Sequence, residues 1–347
     1  MSNRALIIGG PGTLSSSSID YLLARGYQVG VLAQGSKFDR LPAGVTKMFG
    51  NRNQKGMLSD SISQFHPDVV IDFVCFEPEQ AENAYRESRG NVGQYIFIST
   101  VDVYGYPLSR LPFREDDAWH PSTQSPYAEN KRKCEEIFWK GHSTADFPLT
   151  IARPAYSFGP EFILSFMSRD LGYHMLRRIQ QGRPVMVPGD GSTLMHVSSA
   201  YNTGEMIAAL VGESKAMGKS YTCGHPYAIT HEKYIRLFSD ALSVTPEMVH
   251  IPSETILKIK HPAVAECLLP ALTRYNVAFS ADRFLRDFPE FKWSYTLDEW
   301  TSHVVSRVIE LGLLSRGDED IFDDELIHLW QEHEQKLINQ LSNGSES

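Results

Sequence analysis

A tyrosine and a lysine lie four residues apart in Tyr127-Ala-Glu-Asn-Lys131, and Thr100 ends an apolar, strand-like run upstream of them. Residues four apart on a helix share a face, so the Lys131 ammonium is expected beside the Tyr127 phenol, where it favours the phenolate. An unperturbed tyrosine titrates near pH ~10 and is a poor base at neutral pH without that help. A hydroxyl such as Thr100 would hold the same substrate oxygen in place. The three groups suit proton transfer to or from an alcohol or carbonyl. The Tyr-x-x-x-Lys spacing is also common in helices that merely pack, and its chemical meaning comes from the N-terminus.

Residues 4–9, Arg-Ala-Leu-Ile-Ile-Gly, read as a buried parallel strand. Gly9-Gly10-Pro11-Gly12-Thr13-Leu14-Ser15 follows as a glycine turn, and Ile19 to Arg25 carries a helical pattern. Such a turn lets backbone amides approach a pyrophosphate at the positive end of the helix dipole. A second strand, Tyr27 to Leu32, completes the β-α-β context that a dinucleotide fingerprint needs.

Together these residues resemble the extended short-chain dehydrogenase/reductase superfamily, its NAD-dependent epimerase/dehydratase family in particular. The resemblance continues in order along the chain. It takes in Pro67 to Phe73 as a fourth strand, Tyr95 to Gly105 as the strand carrying the catalytic Ser/Thr, and Ala152 to Pro160 as the segment lying along the nicotinamide. Gly182 to Gly191 resembles the substrate-domain entry, and Phe279 to Phe284 the segment that closes that domain. It implies a Rossmann doubly wound parallel sheet with a smaller, mainly helical C-terminal substrate lobe. Thr100, Tyr127 and Lys131 become the expected catalytic residues. The expected NAD or NADP site comprises Gly9, Gly12, Thr13, Leu14, Ala33, Gln34, Ser36, Lys37, Arg52, Phe73, Val74, Cys75, Pro154 and Tyr156, together with Tyr127 and Lys131.

Departures from the family pattern shape the expected chemistry. Ser15 replaces the third glycine of the turn. Where an acid would grip the ribose diol of NAD the chain reads Ala33-Gln34-Gly35-Ser36-Lys37, so a 2′-phosphate is not repelled and Ser36, Lys37 or Arg40 could meet it. That leans slightly toward NADP, with Arg52 on the adenine side. Met195 stands where sugar-nucleotide enzymes carry a diphosphate-clamping arginine, which argues against a nucleotide handle; His196, Arg178 or Arg183 are the substitutes. Asp102 occupies the place of the dehydratase branch's acid, either as a second catalytic group or as a strand-end cap. Tyr104 and His120 are expected at the mouth of the cleft.

The resemblance therefore implies an oxidoreductase acting on a hydroxyl or keto group of a sugar or sugar-like substrate, with epimerisation, dehydration and dehydrogenation all open. Two other classes remain. One is a ketone or secondary-alcohol reductase of specialised metabolism, with Phe162, Phe166 and Met167 as apolar substrate contacts. The other is a non-catalytic binding protein, since the Ile-Gly-Gly turn and Asp72 to Phe76 also resemble an atypical branch that includes RNA-binding proteins.

The 347 residues can bury a large core, and the net charge of -9 with no basic cluster argues against nucleic acid. No apolar run is long enough for a bilayer and no signal peptide is evident, so a cytoplasmic protein is expected. Cys75, Cys134, Cys223 and Cys267 are widely spaced and suggest neither zinc nor a disulfide framework. The expected layout is a Rossmann domain over 1–160 with a return segment near 197–225. The substrate lobe is expected over 161–196 and 226–320, a C-terminal helix over 321–341 and a disordered tail over 342–347. That helix carries Phe322, Leu326, Leu329, Trp330, Leu337 and Leu341 at helical spacing. A homodimer is expected by resemblance, with Ala84, Tyr85, Cys134, Ile137 and Phe138 in its interface.

Overall fold

Four of the first six strands are built on continuous apolar runs, as is expected of strands when helices cover both faces of a parallel sheet. The computed structural model describes residues 3–166, 172–316 and 321–343. Its chain divides into two compact units. The first comprises Met1–Gly159, His196–Ala228 and Val277–Thr296; the second comprises Pro160–Met195, Ile229–Asn276 and Leu297–Ser347.

In the first unit the elements alternate as β1 (Arg4–Ile8), α1 (Ser15–Ala24), β2 (Gln28–Ala33), β3 (Thr46–Phe49), α2 (Met57–Phe65), β4 (Val69–Asp72), α3 (Pro78–Ser88), β5 (Gln94–Ile98), α4 (Pro126–Ala145) and β6 (Leu149–Pro154). The strand Lys219–Cys223 joins β6 at the edge. The seven-stranded sheet then runs from it through β6, β5, β4, β1 and β2 to β3, every pair parallel. Side-chain alternation sends Ala5 and Ile7 to one core, with Ile19, Leu22, Met206 and Ile207, and sends Leu6 and Ile8 to the other, with Ile62, Phe65, Ala81 and Phe138. The order reverses beside β1, between β2 and β4, and the carboxyl ends of those strands open the crevice in which such sheets bind ligands.

The return segment is longer than the sequence suggests. Residues 277–296, expected in the substrate lobe, belong to the first unit, because Phe284 and Phe288 bury themselves against Tyr221 and the backbone of Phe113 bridges Phe279. Ala84, Cys134 and Phe138 are core residues as well, each at most 1 % exposed, so the helix stripe assigned to a dimer interface faces inward. Tyr85 and Ile137 are half-buried and pack against the same core.

One buried ion pair ties α4 to β6. Arg153 donates to both oxygens of Glu135 at 2.9 and 2.6 Å, while its guanidinium lies over the Trp119 and Tyr104 rings at 4.8 and 5.1 Å. Both side chains are enclosed, and removing one partner strands the other charge. Glu135→Ala is therefore expected to destabilise the protein by about 3–5 kcal/mol, read as a fall in the urea midpoint at unchanged slope.

The second unit is mainly helical, with short ladders pairing Val185–Pro188 with Met248–Ile251 and Leu194–Met195 with Ile229–Thr230. Its C-terminal helix, Ile321–Asn343, continues two residues past the expected end; residues 344–347 of the expected tail lie outside the described residues, as does Met167. Phe322, Leu326, Ile327 and Trp330 pack against Val249, Ile251 and Leu269, whereas Leu329, Leu337 and Leu341 are exposed. The apolar spacing thus covers a docked first half and a solvated second half.

Candidate active site

Two N-caps place the catalytic candidates. Ser125 accepts the Ala128 N–H at 3.2 Å and Pro126 opens α4, which sets Tyr127 in the first turn and Lys131 one turn further on. At the end of β5, the Thr100 hydroxyl accepts the Asp102 N–H at 3.2 Å and starts a short helical turn over Val101–Tyr104. Thr100, Tyr127, Lys131 and Asp102 are thereby gathered at the carboxyl end of the sheet, all within the first unit.

Lys131 lies on the same helix face as Tyr127, as the spacing suggested, but spends its hydrogen bonds elsewhere. Its Nζ donates to the carbonyls of Cys75 at 2.8 Å and Ile98 at 2.7 Å, and it lies 5.9 Å from the centre of the Tyr127 ring and 4.7 Å from that of Phe76. Burial lowers the pKa of this ammonium, opposed by the nearby Cys75 and Asp72. Tyr127 departs from expectation too. The residue is 43 % exposed, but its phenol end is enclosed; that burial and the charge of Asp102 push its pKa above the usual value, with Thr100 alone pulling it down. In this arrangement the phenol is favoured over the phenolate.

Sequence reasoning treated Asp102 as a lone acid, but the fold gives it partners. Tyr106 donates to its Oδ1 at 2.7 Å, and the Tyr106 and Tyr156 hydroxyls are 2.7 Å apart. Burial raises the Asp102 pKa, while bonds from Tyr106, Thr100 and Tyr156 oppose the rise. Tyr156 opens strand β7 (Tyr156–Phe158), and Tyr106 follows the Tyr104-Gly105 turn, so no local spacing could have joined them. Ser99 is a further group missed from sequence: its buried hydroxyl has no partner.

Beside this cluster two cavities follow the sheet's crevice. One, of about 480 Å³, is lined by Gly9 to Ser15, Ala33 to Lys37, Phe73, Val74 and Phe76. The other, of about 300 Å³, adds Asn51, Arg52, Asn53 and Gln80 and shares Gly9, Ala33, Gln34 and Val74. The expected cofactor residues Gly9, Gly12, Thr13, Leu14, Ala33, Gln34, Ser36, Lys37, Arg52, Phe73 and Val74 therefore share one wall. Cys75, Pro154, Tyr156, Tyr127 and Lys131 line neither cavity. Asn51, Asn53 and Gln80 do, and no motif had marked them; Phe76, which lines both, was marked only within the segment that resembles the binding-protein branch.

A dinucleotide fits what is present. Gly9 has φ +85°, and an added Cβ would stand 2.4 Å from Val74 Cγ1, so the wall depends on a bare backbone there. Ser15 fills the place of the third glycine usefully: its Oγ accepts the Gly12 N–H at 2.9 Å and closes the turn. Close approach of helix Ala200–Ala209 to α1 is kept by Gly204 instead, whose Cβ would meet Leu14 O at 2.3 Å. Arg52 is not free to grip a 2′-phosphate, because Asp72 holds it at 2.9 Å and the Gln80 carbonyl accepts from it. Gly9→Ala is expected to abolish stabilisation by any nicotinamide cofactor while the fold persists, read by thermal unfolding with and without cofactor.

The expected substrate residues scatter. Tyr104 is fully buried, bonded to Thr222 and Arg153, and does not reach a cleft mouth. His196 is a core residue: Nε2 donates to His225 O at 2.6 Å and Nδ1 accepts Phe279 N–H at 2.9 Å, so the ring is neutral and its pKa drops to about 4 through burial. In the second unit, Arg178 is spent on Asp324 and the Pro184 carbonyl, and Met195 is buried. Arg183 also pairs with Asp324. Phe166 packs on His231, with ring centres 4.3 Å apart, and Phe162 is half-buried. His120 stays at a half-exposed loop, its Nδ1 bonded to the Ser122 backbone.

The NAD dependent epimerase/dehydratase family model matches residues 82–224, a segment that contains Thr100, Tyr127 and Lys131 and begins beyond the glycine turn. The chain is similar to a 2′-dehydrokanamycin reductase of Streptomyces kanamyceticus, at 25 % identity over 62 % of this chain and 60 % of that relative. It thus matches about half the length of the curated relatives, 60 %, 55 % and 44 % of them. In fold it is similar to an epimerase of Methanothermobacter thermautotrophicus, with TM-score 0.72 and 17 % identity over 91 % of this chain and 95 % of that one. A UDP-glucose 4-epimerase of Thermus thermophilus, solved with NAD, aligns with TM-score 0.67 and 19 % identity over 88 % of this chain and 99 % of that one. The family match is confined to residues 82–224, and the fold around it is the one these solved epimerases share. Among the described residues no helix is long and apolar enough to cross a membrane.

Proposed function

We propose that this chain is a nicotinamide-dependent oxidoreductase acting on a secondary hydroxyl or ketone of a sugar-like substrate. The observation that carries the reading is the convergence of Thr100, Tyr127 and Lys131 at the carboxyl end of β5, beside a crevice walled by Gly9 and the α1 turn. Gly9 to Leu14 would receive the pyrophosphate at the start of α1, where first-turn N–H groups lack intrahelical partners. Ala33, Gln34, Ser36 and Lys37 would face the adenosine ribose; with no acid among them, NADP is admitted as well as NAD. Lys131 would hold a ribose hydroxyl with the donor capacity left after its two carbonyl bonds.

Nicotinamide supplies the hydride-transfer chemistry when bound. Thr100 orients the substrate oxygen, and Tyr127 gives a proton to a carbonyl or takes one from a hydroxyl. The non-nucleotide name of the aminoglycoside-type relative and the engagement of Arg178 and Arg183 with Asp324 both favour a substrate without a diphosphate handle. Epimerisation with retained cofactor is the second reading, supported by the family match.

The test is a panel of free keto-sugars, dehydro-aminoglycosides and nucleotide keto-sugars offered with NADH or NADPH, following loss of reduced-nicotinamide absorbance. Consumption with a free keto-sugar is the expected result. Interconversion of sugar-nucleotide epimers without net cofactor consumption would replace it with the second reading.

A further inference from the structure

Three side-chain amides line the cavity of about 300 Å³, and backbone N–H groups, which can only donate, dictate how all three are turned. Gln80 Oε1 accepts the N–H of Phe76 at 2.7 Å and that of Glu77 at 3.1 Å. Its nitrogen is therefore the end that meets Asn53, whose Oδ1 accepts from it at 2.8 Å. Asn51 Oδ1 accepts the Asn53 N–H at 3.0 Å. Exchanging O and N in any of the three would set donor against donor. Each amide oxygen is thus bonded inside the wall, and what the wall has left to offer is N–H: two on Asn51, two on Asn53 and one on Gln80. Arg52 brings a positive charge, but Asp72 holds its guanidinium at 2.9 Å, and no carboxylate lines the cavity. Ile8, Leu32 and Val74 supply apolar lining. A recess that is electrically balanced, partly apolar and edged with N–H groups suits a flat neutral ring whose rim carries lone pairs.

We propose that Asn51, Asn53 and Gln80 are specificity-determining residues for the base of the dinucleotide: a wall of donors that holds a purine by its acceptors and gives an exocyclic amino group no partner. The inference rests on the crevice holding a nicotinamide dinucleotide. Adenine brings ring nitrogens that accept and a 6-amino group that only donates, so the amino group gains nothing from this wall and leaves wall N–H groups unpaired wherever it faces them. An oxo group in the same place accepts. The site is therefore indifferent to the 6-amino group or favours its replacement by oxygen, as in hypoxanthine. Gln34 stands outside the network, exposed and shared with the other cavity, and a rotatable amide there serves either edge alike.

The test needs no substrate. NAD and nicotinamide hypoxanthine dinucleotide, and the 2′-phosphates of both, are titrated calorimetrically into the full chain. The hypoxanthine form is expected to bind as tightly as the adenine form or more tightly. Asn51→Asp and Asn53→Asp each keep the oxygen that the wall uses and put an acceptor where N–H groups stood. In at least one of them the ratio of the two affinities should move toward adenine by about tenfold, the size of one hydrogen bond. The added negative charge repels the pyrophosphate of both ligands alike and cancels in that ratio, and thermal unfolding confirms that the variants are folded. A merely structural amide network would leave the ratio where it is. Adenine favoured by more than about threefold in the wild type, or a ratio unmoved in both folded variants, overturns the donor wall and spares the oxidoreductase. Binding of none of the four dinucleotides sinks both.

Discussion

Tyr127→Phe is expected to lower turnover on an accepted keto-sugar by about 10²–10⁴-fold while leaving cofactor binding and thermal stability unchanged. In the proposed reaction the hydroxyl is the proton donor, so its loss would remove general acid catalysis and little else; with 43 % of the residue exposed, the ring contributes modestly to packing. Steady-state kinetics should show the loss in kcat and kcat/KM together, the signature of an interaction made in the transition state. Lys131→Ala would not be as clean. Lys131 is 1 % exposed and ties the carbonyls of Cys75 and Ile98, so its removal leaves two buried acceptors unpaired and weakens the fold as well as the chemistry. A Tyr127→Phe protein retaining more than a tenth of wild-type turnover would show that another group carries the proton.

Acid instability is the second large effect, and it comes from histidines unconnected with catalysis. Burial lowers the pKa of His196, His225 and His231 from 6.5 to about 4 in each case, the charge on His196 adding to the effect at His225. Above pH 6.5 these rings are neutral whether the chain is folded or not, and they cost nothing. As pH falls below 6.5 the unfolded chain takes up protons that the folded one refuses, so stability declines until the folded rings titrate near pH 4. Each ring removes roughly 3 kcal/mol over that interval at 1.36 kcal/mol per unit. Three of them approach the whole stability of an ordinary domain, roughly 5–15 kcal/mol. Urea midpoints should therefore drop steeply from pH 6.5 toward pH 4, with His196→Gln flattening the slope, because Gln can still accept from Phe279 and donate to His225. A flat profile would mean that these rings are open to protons in the folded state.

The parts of this site legible in the sequence are those made by short-range regularities. A continuous apolar run followed by glycines signals a buried parallel strand and its turn, and the Tyr127–Lys131 spacing signals one helix face. What could not be read depends on the meeting of distant segments. Tyr106 and Tyr156 join only because β7 leads off from β6 beside the loop after β5. The Lys131 ammonium turns to carbonyls at the ends of β4 and β5 that only the sheet order brings near it. Periodicity also could not tell a helix face directed at its own core from one awaiting a partner, so Ala84, Cys134 and Phe138 looked like interface residues. His196 stood beside the missing arginine in sequence and invited a substrate role, whereas the fold spends both of its nitrogens on backbone. Residues 277–296 concealed their return to the first unit because an aromatic-rich helix and loop look the same in either unit.

The claim on which the rest depends is that the crevice beside Gly9 holds a nicotinamide dinucleotide. Its direct test is isothermal titration of wild-type protein and Gly9→Ala with NAD, NADH, NADP and NADPH. Saturable one-to-one binding of at least one of the four by the wild type, lost in Gly9→Ala, is the predicted result, and the preferred member fixes the choice that the Ala33 to Lys37 segment leaves open. No binding of any of the four by folded wild-type protein, or equal binding by Gly9→Ala, would contradict the account.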